Sequence, residues 1–440
     1  MREVVVVGAG LAGVRAAGEL RARGFSGALT VVSDEVELPY DRPPLTKQVV
    51  SGTLTADDIR LAGAEDFGAR WVRGTAAVGL DRERRRVRLA DGVELPYDGL
   101  VLATGARARA WPGEVPAGVL TVRGLDDVRA LRAAVDGGAR EVVVVGAGFV
   151  GVELASSLVG LGLGVRVTLL EPFGRPLRAL GGTVPDVVAA AARRAGVELR
   201  MGIGVRGFRA EGARVAGVES ADGSVLPAEV AVVAIGMVPA TGWLVGSGLA
   251  LPGGRVHCDE RLFARTAEVP GVAGALGEVG VTGAAGGIDP RIVVAGDVAR
   301  CDAVRSADGP VALEHWSNAA AQGESAARNL LAGPAAAGSY AHVPSFWTSA
   351  FGLRIKSVGL PGTGDRVVVE EGEPGSEKLV EAHYRAGRLV GAVSVNLGKR
   401  LAGYARRLQE ERGAAEAAGV SGGAPGRGSD EVPAWGGAAG

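Results

Sequence analysis

The chain has 440 residues, 48 basic against 49 acidic side chains, a net charge of -1, and two cysteines, Cys258 and Cys301. The length suits about three domains, and the charge balance excludes a general attraction to nucleic acid or to an anionic membrane. Two cysteines without CxxC-type spacing exclude a disulfide framework or a cysteine metal cage, and fit a reducing compartment.

Met1, Arg2 and Glu3 lead directly into a valine run at 4–7, with no charged-then-apolar leader, which predicts a cytoplasmic protein. The run breaks into Gly8, Gly10 and Gly13, with Leu11 and Ala12 inside the loop. An alanine-rich helix is predicted over 14–23, then a strand over 29–32 that leads to Asp34 and Glu35. This is a dinucleotide-binding pattern. Its glycines allow a tight turn, close approach of backbone to a pyrophosphate and close packing of the next helix, and the acid about twenty residues on binds a ribose. The pattern recurs at 142–145, with Gly146, Gly148 and Gly151 around Phe149 and Val150, a helix over 152–161 and a strand over 165–170 ending at Glu171. Two such loops in one chain suggest two dinucleotides. The apolar stretch 142–170 is interrupted by Glu153 and Arg166, so it reads as strand, helix and strand and not as a membrane span.

Between the two loops lies Leu38-Pro39-Tyr40-Asp41-Arg42-Pro43-Pro44-Leu45-Thr46-Lys47. Its prolines exclude a regular helix or a central strand and predict a rigid loop. Lys47 stands out because the chain has only three other lysines, and an ammonium has a more tunable pKa than a guanidinium. Short strands over 100–105, ending at Thr104-Gly105, and over 230–236, ending at Gly236, close the two nucleotide regions. A third over 292–297 ends in a Gly296-Asp297 turn and completes one of these sheets. From 344 onward strands are predicted over 354–359, 366–370, 379–384 and 389–395, while 270–290 and 413–440 read as unstructured. The fold class is α/β: two Rossmann-like dinucleotide-binding domains plus a small C-terminal α+β domain. The expected domains are 1–111 with 246–331, then 112–245, then 332–410 as an interface domain, with a disordered tail over 411–440.

Several motifs occur in a telling order: VVVVGAGLAG, LPYDRPPLTK, LATG, VVVVGAGFVGVELA, AGD, Glu314-His315-Trp316 with Asn318 and Gln322, and Phe346-Trp347 with 351–355. Together they resemble the flavin-dependent ferredoxin and rubredoxin reductases that serve oxygenases, a glutathione-reductase-like family that includes relatives of apoptosis-inducing factor. The resemblance spans residues 1 to about 408. It implies FAD at the first loop, NADH as substrate at the second, and a C-terminal lid that helps receive an iron-sulfur partner. By the same resemblance Arg42, Lys47, Ala77 and Arg123 are FAD contacts, as are Thr104 and Gly105 of the LATG motif. It further puts Asp297 at the ribityl chain, His315 and Trp316 beside the isoalloxazine, Glu314 on the nicotinamide side, and Lys47 and Glu153 together at the flavin N5. On the residues alone, Asp297 reads equally as a helix cap, Trp316 as a core aromatic, and Glu153 as an acid favoured by the helix dipole.

Glu171 favours NADH over NADPH because a carboxylate accepts from a ribose diol and repels a 2'-phosphate. Arg175, four residues on, opposes that preference. The cysteines match neither a dithiol relay nor a single flavin-side thiol, so the electrons are expected to leave for an external acceptor, which the resemblance implies is a 2Fe-2S ferredoxin or a rubredoxin. Arg305, Arg354, Lys356, Lys399 and Arg400, with Trp347, are the candidates for a basic docking surface that an acidic partner would need. The Ser-Asp-Gln-like run usual in the family after this tryptophan is Thr348-Ser349-Ala350 here. Two alternatives stand beside this reading: a stand-alone NADH oxidase or diaphorase, and an FAD-binding redox sensor or scaffold. Neither a nucleic-acid nor a membrane partner is expected, and monomer and homodimer both stay open.

Overall fold

The computed structural model describes residues 1–63, 67–267, 285–306 and 309–417. They form two compact units: Met1–Asp41, Arg60–Arg107 and Val238–His342 in the first, and Arg42–Ile59, Ala108–Met237 and the described residues from Val343 onward in the second.

In the first unit, β-branched runs buried on both faces make the centre of an eight-stranded sheet. Its order is Ala299–Cys301, Val256–Cys258, Phe263–Ala267, Ala285–Val294, Gly99–Leu102, Glu3–Val7, Ala28–Val32, Arg70–Val72. Val293 pairs with Val101 in parallel, so the strand expected near 292 completes this first sheet. It starts earlier than expected. Residues 285–290 are strand and not loop, because pairing with Phe263–Ala267, as between Arg265 and Ile288, supplies the order that their composition does not. Residues 268–284 lie outside the described residues. Helices Leu11–Ala22 and Trp316–Ala332 cross closely: a Cβ on Gly323 would lie 2.3 Å from the Ala12 carbonyl oxygen.

In the second unit a five-stranded parallel sheet runs Glu198–Met201, Arg166–Glu171, Glu141–Val145, Val230–Val233, Val119–Thr121. A second, antiparallel sheet runs Ser345–Ala350, Leu353–Gly359, Arg388–Val395, Leu379–Arg385, Arg366–Glu371. Its Val358, Val380 and Ala392 pack with Leu401 and Leu408 of the helix Leu401–Ala417, which continues past residue 410. Residues 418–440 lie outside the described residues. The proline-rich segment, expected to stay irregular up to Lys47, instead ends in a short π-type helix, Leu45–Val49. Pro44 sits at its N-cap, where no amide is needed, and the Val49 amide reaches the Pro44 carbonyl at 3.0 Å.

The antiparallel sheet buries two titratable side chains, Glu381 and His383. Thr183 donates to Glu381 Oε1 through its amide (2.8 Å) and its hydroxyl (2.5 Å). Burial pushes the His383 pKa down to about 4, so the folded imidazole is neutral. The unfolded chain takes up that proton near pH 6.5, so stability is expected to fall as pH drops from about 6.5 to about 4, by about 3 kcal/mol in total. Urea unfolding across a pH series checks this: His383→Gln should flatten the loss over that window, and an equally steep loss in the variant would assign it to other groups.

Candidate active site

Both glycine loops are built to one geometry. In the first unit Gly8 (φ +109°) donates its amide to the Val32 carbonyl at 2.8 Å. A Cβ there would lie 2.1 Å from the Ala103 oxygen, and one on Gly13 would lie 1.9 Å from the Gly8 oxygen. Gly10, the N-cap of Leu11–Ala22, faces open space instead. In the second unit Gly146 (φ +103°) reaches Leu170 at 2.7 Å, its Cβ would meet Ala234 at 2.4 Å, that of Gly151 would meet Gly146 at 1.9 Å, and Gly148 is open. The outer glycines of each loop are thus demanded by packing. The middle one leaves an uncovered face at a helix N-terminus, which fits a pyrophosphate. Gly8→Ala is therefore expected to lose about 1–3 kcal/mol from backbone strain alone, whereas Gly10→Ala should retain less flavin yet unfold like the parent when both are stripped of flavin, since bound ligand itself stabilises the folded state. Thermal unfolding and the 450 nm absorbance of purified protein read the two effects, and equal stability of both variants would refute the distinction.

The ribose-side acids differ between the units. Val32 and Leu170 accept the equivalent glycine amides, so Ser33 stands where the second loop has Glu171, and the acids of the first loop come later. Asp34 is exposed and paired with Arg107 at 2.7 Å. Glu35 is half-buried and accepts the Tyr40 hydroxyl. Glu171 is buried, accepts the amides of Ala147 (2.7 Å) and Phe173 (3.3 Å), and has a pKa raised by burial. Arg175 does not stand free beside it: its guanidinium donates to the Gly182 carbonyl (3.0 Å) and to Asp186 (3.1 Å). Arg178 lies over the Phe173 ring at 3.9 Å.

In the first unit Thr104 donates to the Ala240 carbonyl at 2.8 Å, and the Gly105 carbonyl (φ +66°) accepts the Ala240 amide at 3.0 Å. Gly296 (φ +81°) donates its amide to Gln322 at 2.8 Å and turns the chain into Asp297. His315 is the N-cap of Trp316–Ala332, and burial pushes its pKa down. Trp316 Nε1 donates to Asp41 at 2.6 Å, and Ala77 opens the strand Ala77–Asp81.

In the second unit Arg42 donates to the Arg123 carbonyl at 2.8 Å. Lys47 Nζ lies 2.7 Å from Glu153 Oε2, with both side chains largely buried. Thr46 donates to the same oxygen at 2.5 Å, and Thr348 donates to Glu153 Oε1 at 2.6 Å. The Phe149 ring, one residue past the Gly148 cap, packs against Phe346 at 4.1 Å, with Val150 following it in the helix Phe149–Val159. Gly236 (φ +96°) follows the strand Val230–Val233 and faces open space.

Residues 2–323 match the pyridine nucleotide-disulphide oxidoreductase family, and residues 345–423 match the reductase C-terminal domain. The chain belongs to this oxidoreductase family. The ferredoxin–NAD(+) reductase component of an anthranilate 1,2-dioxygenase system from Burkholderia cepacia is 35% identical over 422 residues, covering 92% of this chain and 93% of that one. A probable ferredoxin reductase, CtmF, from Castellaniella defragrans is 33% identical over 400 residues, covering 89% and 90%. The putidaredoxin reductase of a solved covalent putidaredoxin reductase–putidaredoxin complex superposes with a TM-score of 0.79 at 28% identity, covering 93% of each chain.

The chain is accordingly an FAD-dependent oxidoreductase that uses a nicotinamide coenzyme. No helix among its described residues is long and apolar enough to cross a membrane. Two features of this oxidoreductase were not visible in its sequence. Arg255 is mostly buried, pairs with Glu314 at 2.5 Å and donates to the Asp297 carbonyl, so it ties two expected cofactor contacts together. One arginine in an arginine-rich chain carries no local signal. Cys258 and Cys301, far apart in sequence, are register partners on neighbouring parallel strands; both are buried, and burial raises the Cys258 thiol pKa. A thiol so held is a poor nucleophile. Of the basic residues expected to form the docking surface, Lys356 is the cross-strand partner of Trp347, Arg354 and Lys399 are exposed, Arg400 is paired with Glu371 at 3.1 Å, and Arg305 belongs to the first unit.

Proposed function

We propose that this oxidoreductase is the NADH-dependent reductase of an oxygenase system, working in the cytoplasm and passing electrons to a 2Fe-2S ferredoxin. The observation that carries this reading is a pair of dinucleotide loops of one geometry in a chain similar along its length to ferredoxin reductases. FAD, when bound, accepts a hydride from the coenzyme and returns its two electrons one at a time.

The chain's own residues have distinct tasks in this reading. The amides beside Gly10 and Gly148 bind the two pyrophosphates, and Glu35 and Glu171 accept from ribose hydroxyls. The Lys47 ammonium, held by Glu153, supplies preorganised positive charge where negative charge develops. Glu171 and the tethered Arg175 together favour NADH over NADPH. Trp347, 39% exposed, with Arg354 and Lys356 on the adjacent strand, offers a face to an acidic iron-sulfur protein.

Stopped-flow mixing of the yellow protein with NADH or NADPH, followed by reoxidation with oxygen, a ferredoxin or a rubredoxin, tests the proposal. Fast bleaching by NADH and fast return by ferredoxin are expected. Slow bleaching by both coenzymes, or fast oxygen uptake that a ferredoxin does not accelerate, would overturn it.

A further inference from the structure

We propose that Thr348, contributed by the C-terminal sheet, is a positioning residue for hydride delivery: its hydroxyl fixes the rotation of the Glu153 carboxylate. The inference rests on the reductase reading above and adds a residue to it.

A carboxylate offers about four acceptor positions on its two oxygens. At Glu153, Oε2 accepts from both Thr46 (2.5 Å) and Lys47 (2.7 Å), while Oε1 accepts from Thr348 (2.6 Å). Three positions are used, and the one that remains is on Oε1. Without Thr348 both donors would sit on a single oxygen. The terminal torsion of a glutamate is a broad, roughly two-fold sp³–sp² rotation, so Oε1 would then swing about the Oε2 anchor. With Thr348 in place the carboxylate is gripped at both ends, and the last acceptor position on Oε1 has a fixed direction in which to receive an amide N–H of the coenzyme.

The strand that brings Thr348 is itself fastened to the helix carrying Glu153. Phe346 packs on Phe149 before it, and the Phe351 amide donates to Ser156 Oγ at 2.7 Å after it. Threonine is β-branched and stiff at χ1, and this one is 1% exposed. Strand alternation turns its neighbour Trp347 to the opposite, exposed face. The chain therefore keeps a hydroxyl at the first place of the run Thr348-Ser349-Ala350, the place where Glu153 needs one.

Stopped-flow bleaching of the holoprotein by NADH, at saturating coenzyme, compares wild type with Thr348→Val and Thr348→Ser. Thr348→Val should retain its flavin and its half-saturating NADH concentration within about twofold, and lose about tenfold or more in limiting rate, the cost of a misdirected group near the reacting atoms. The deuterium isotope effect with 4-deuterated NADH should rise as hydride transfer becomes slower. Thr348→Ser, which restores the hydroxyl, should lie within about twofold of wild type. A wild-type rate in Thr348→Val, or a Thr348→Ser variant as slow as the valine one, would overturn the inference while leaving the reductase reading intact. A wild-type protein that NADH does not bleach would overturn both.

Discussion

Replacing Lys47 with alanine is expected to slow bleaching of the bound flavin by NADH about a hundredfold while FAD stays bound. Removing one preorganised electrostatic group costs about 10²–10³ in rate where charge develops in a site shielded from water. Lys47 meets that description: its side chain is 17% exposed, and its ammonium lies 2.7 Å from a Glu153 side chain that is 10% exposed. Glu153→Gln should also slow the reaction, since it leaves the ammonium without its counter-charge. The double variant should be scarcely slower than Lys47→Ala alone, because two groups that act as a unit are not additive. Flavin content and unfolding midpoint, measured on the same preparations, separate this effect from misfolding. An unchanged limiting rate in Lys47→Ala would remove the ion pair from the mechanism.

The second large effect is on coenzyme choice. Glu171→Ala is expected to weaken NADH binding about tenfold to a hundredfold, the worth of hydrogen bonds to a charged acceptor, and to narrow the preference over NADPH because the repulsion of a 2'-phosphate goes with it. Steady-state kcat/KM for the two coenzymes reads both changes; an unaltered ratio would exclude Glu171 as the discriminating residue. Arg175 already donates to Gly182 and Asp186, so Arg175→Ala should move the ratio far less. Burial raises the Glu171 pKa, so this carboxylate takes up a proton at a higher pH than an ordinary glutamate does. The KM for NADH should therefore climb as pH falls toward that raised value, since a protonated carboxyl has lost part of its acceptor capacity. In Glu171→Gln the acid limb should be flat.

Local signals carried much of the site. The valine runs at 4–7 and 142–145, the glycine triplets and the acid after each second strand are short-range chemistry: turn geometry, helix packing and strand ends. The strands Glu3–Val7 and Glu141–Val145 emerged at the expected places, while the helices Leu11–Ala22 and Phe149–Val159 each start three residues before the expected position, inside the glycine loop. Counting residues from the glycines misled in one respect. It treated the acids of the two loops as equivalents, whereas by strand register the counterpart of Glu171 in the first loop is Ser33. The proline-rich segment misled in another, because three prolines say nothing about the free amides that follow them, and those wind into Leu45–Val49.

The amino-acid order by itself determined two dinucleotide loops and a small antiparallel domain after them. It did so because each of those features is set by neighbours a few residues apart or by a motif with its own internal spacing. Only the tertiary structure decided that Thr46, Lys47 and Thr348 converge on Glu153, that Arg255 joins Asp297 to Glu314, and that Cys258 lies beside Cys301. A threonine on a strand or an arginine in a turn looks the same to its sequence neighbours whether it faces water or a buried carboxylate. Which of these it meets is settled by the packing of elements far apart in the chain, where a buried carboxylate must find donors for its oxygens.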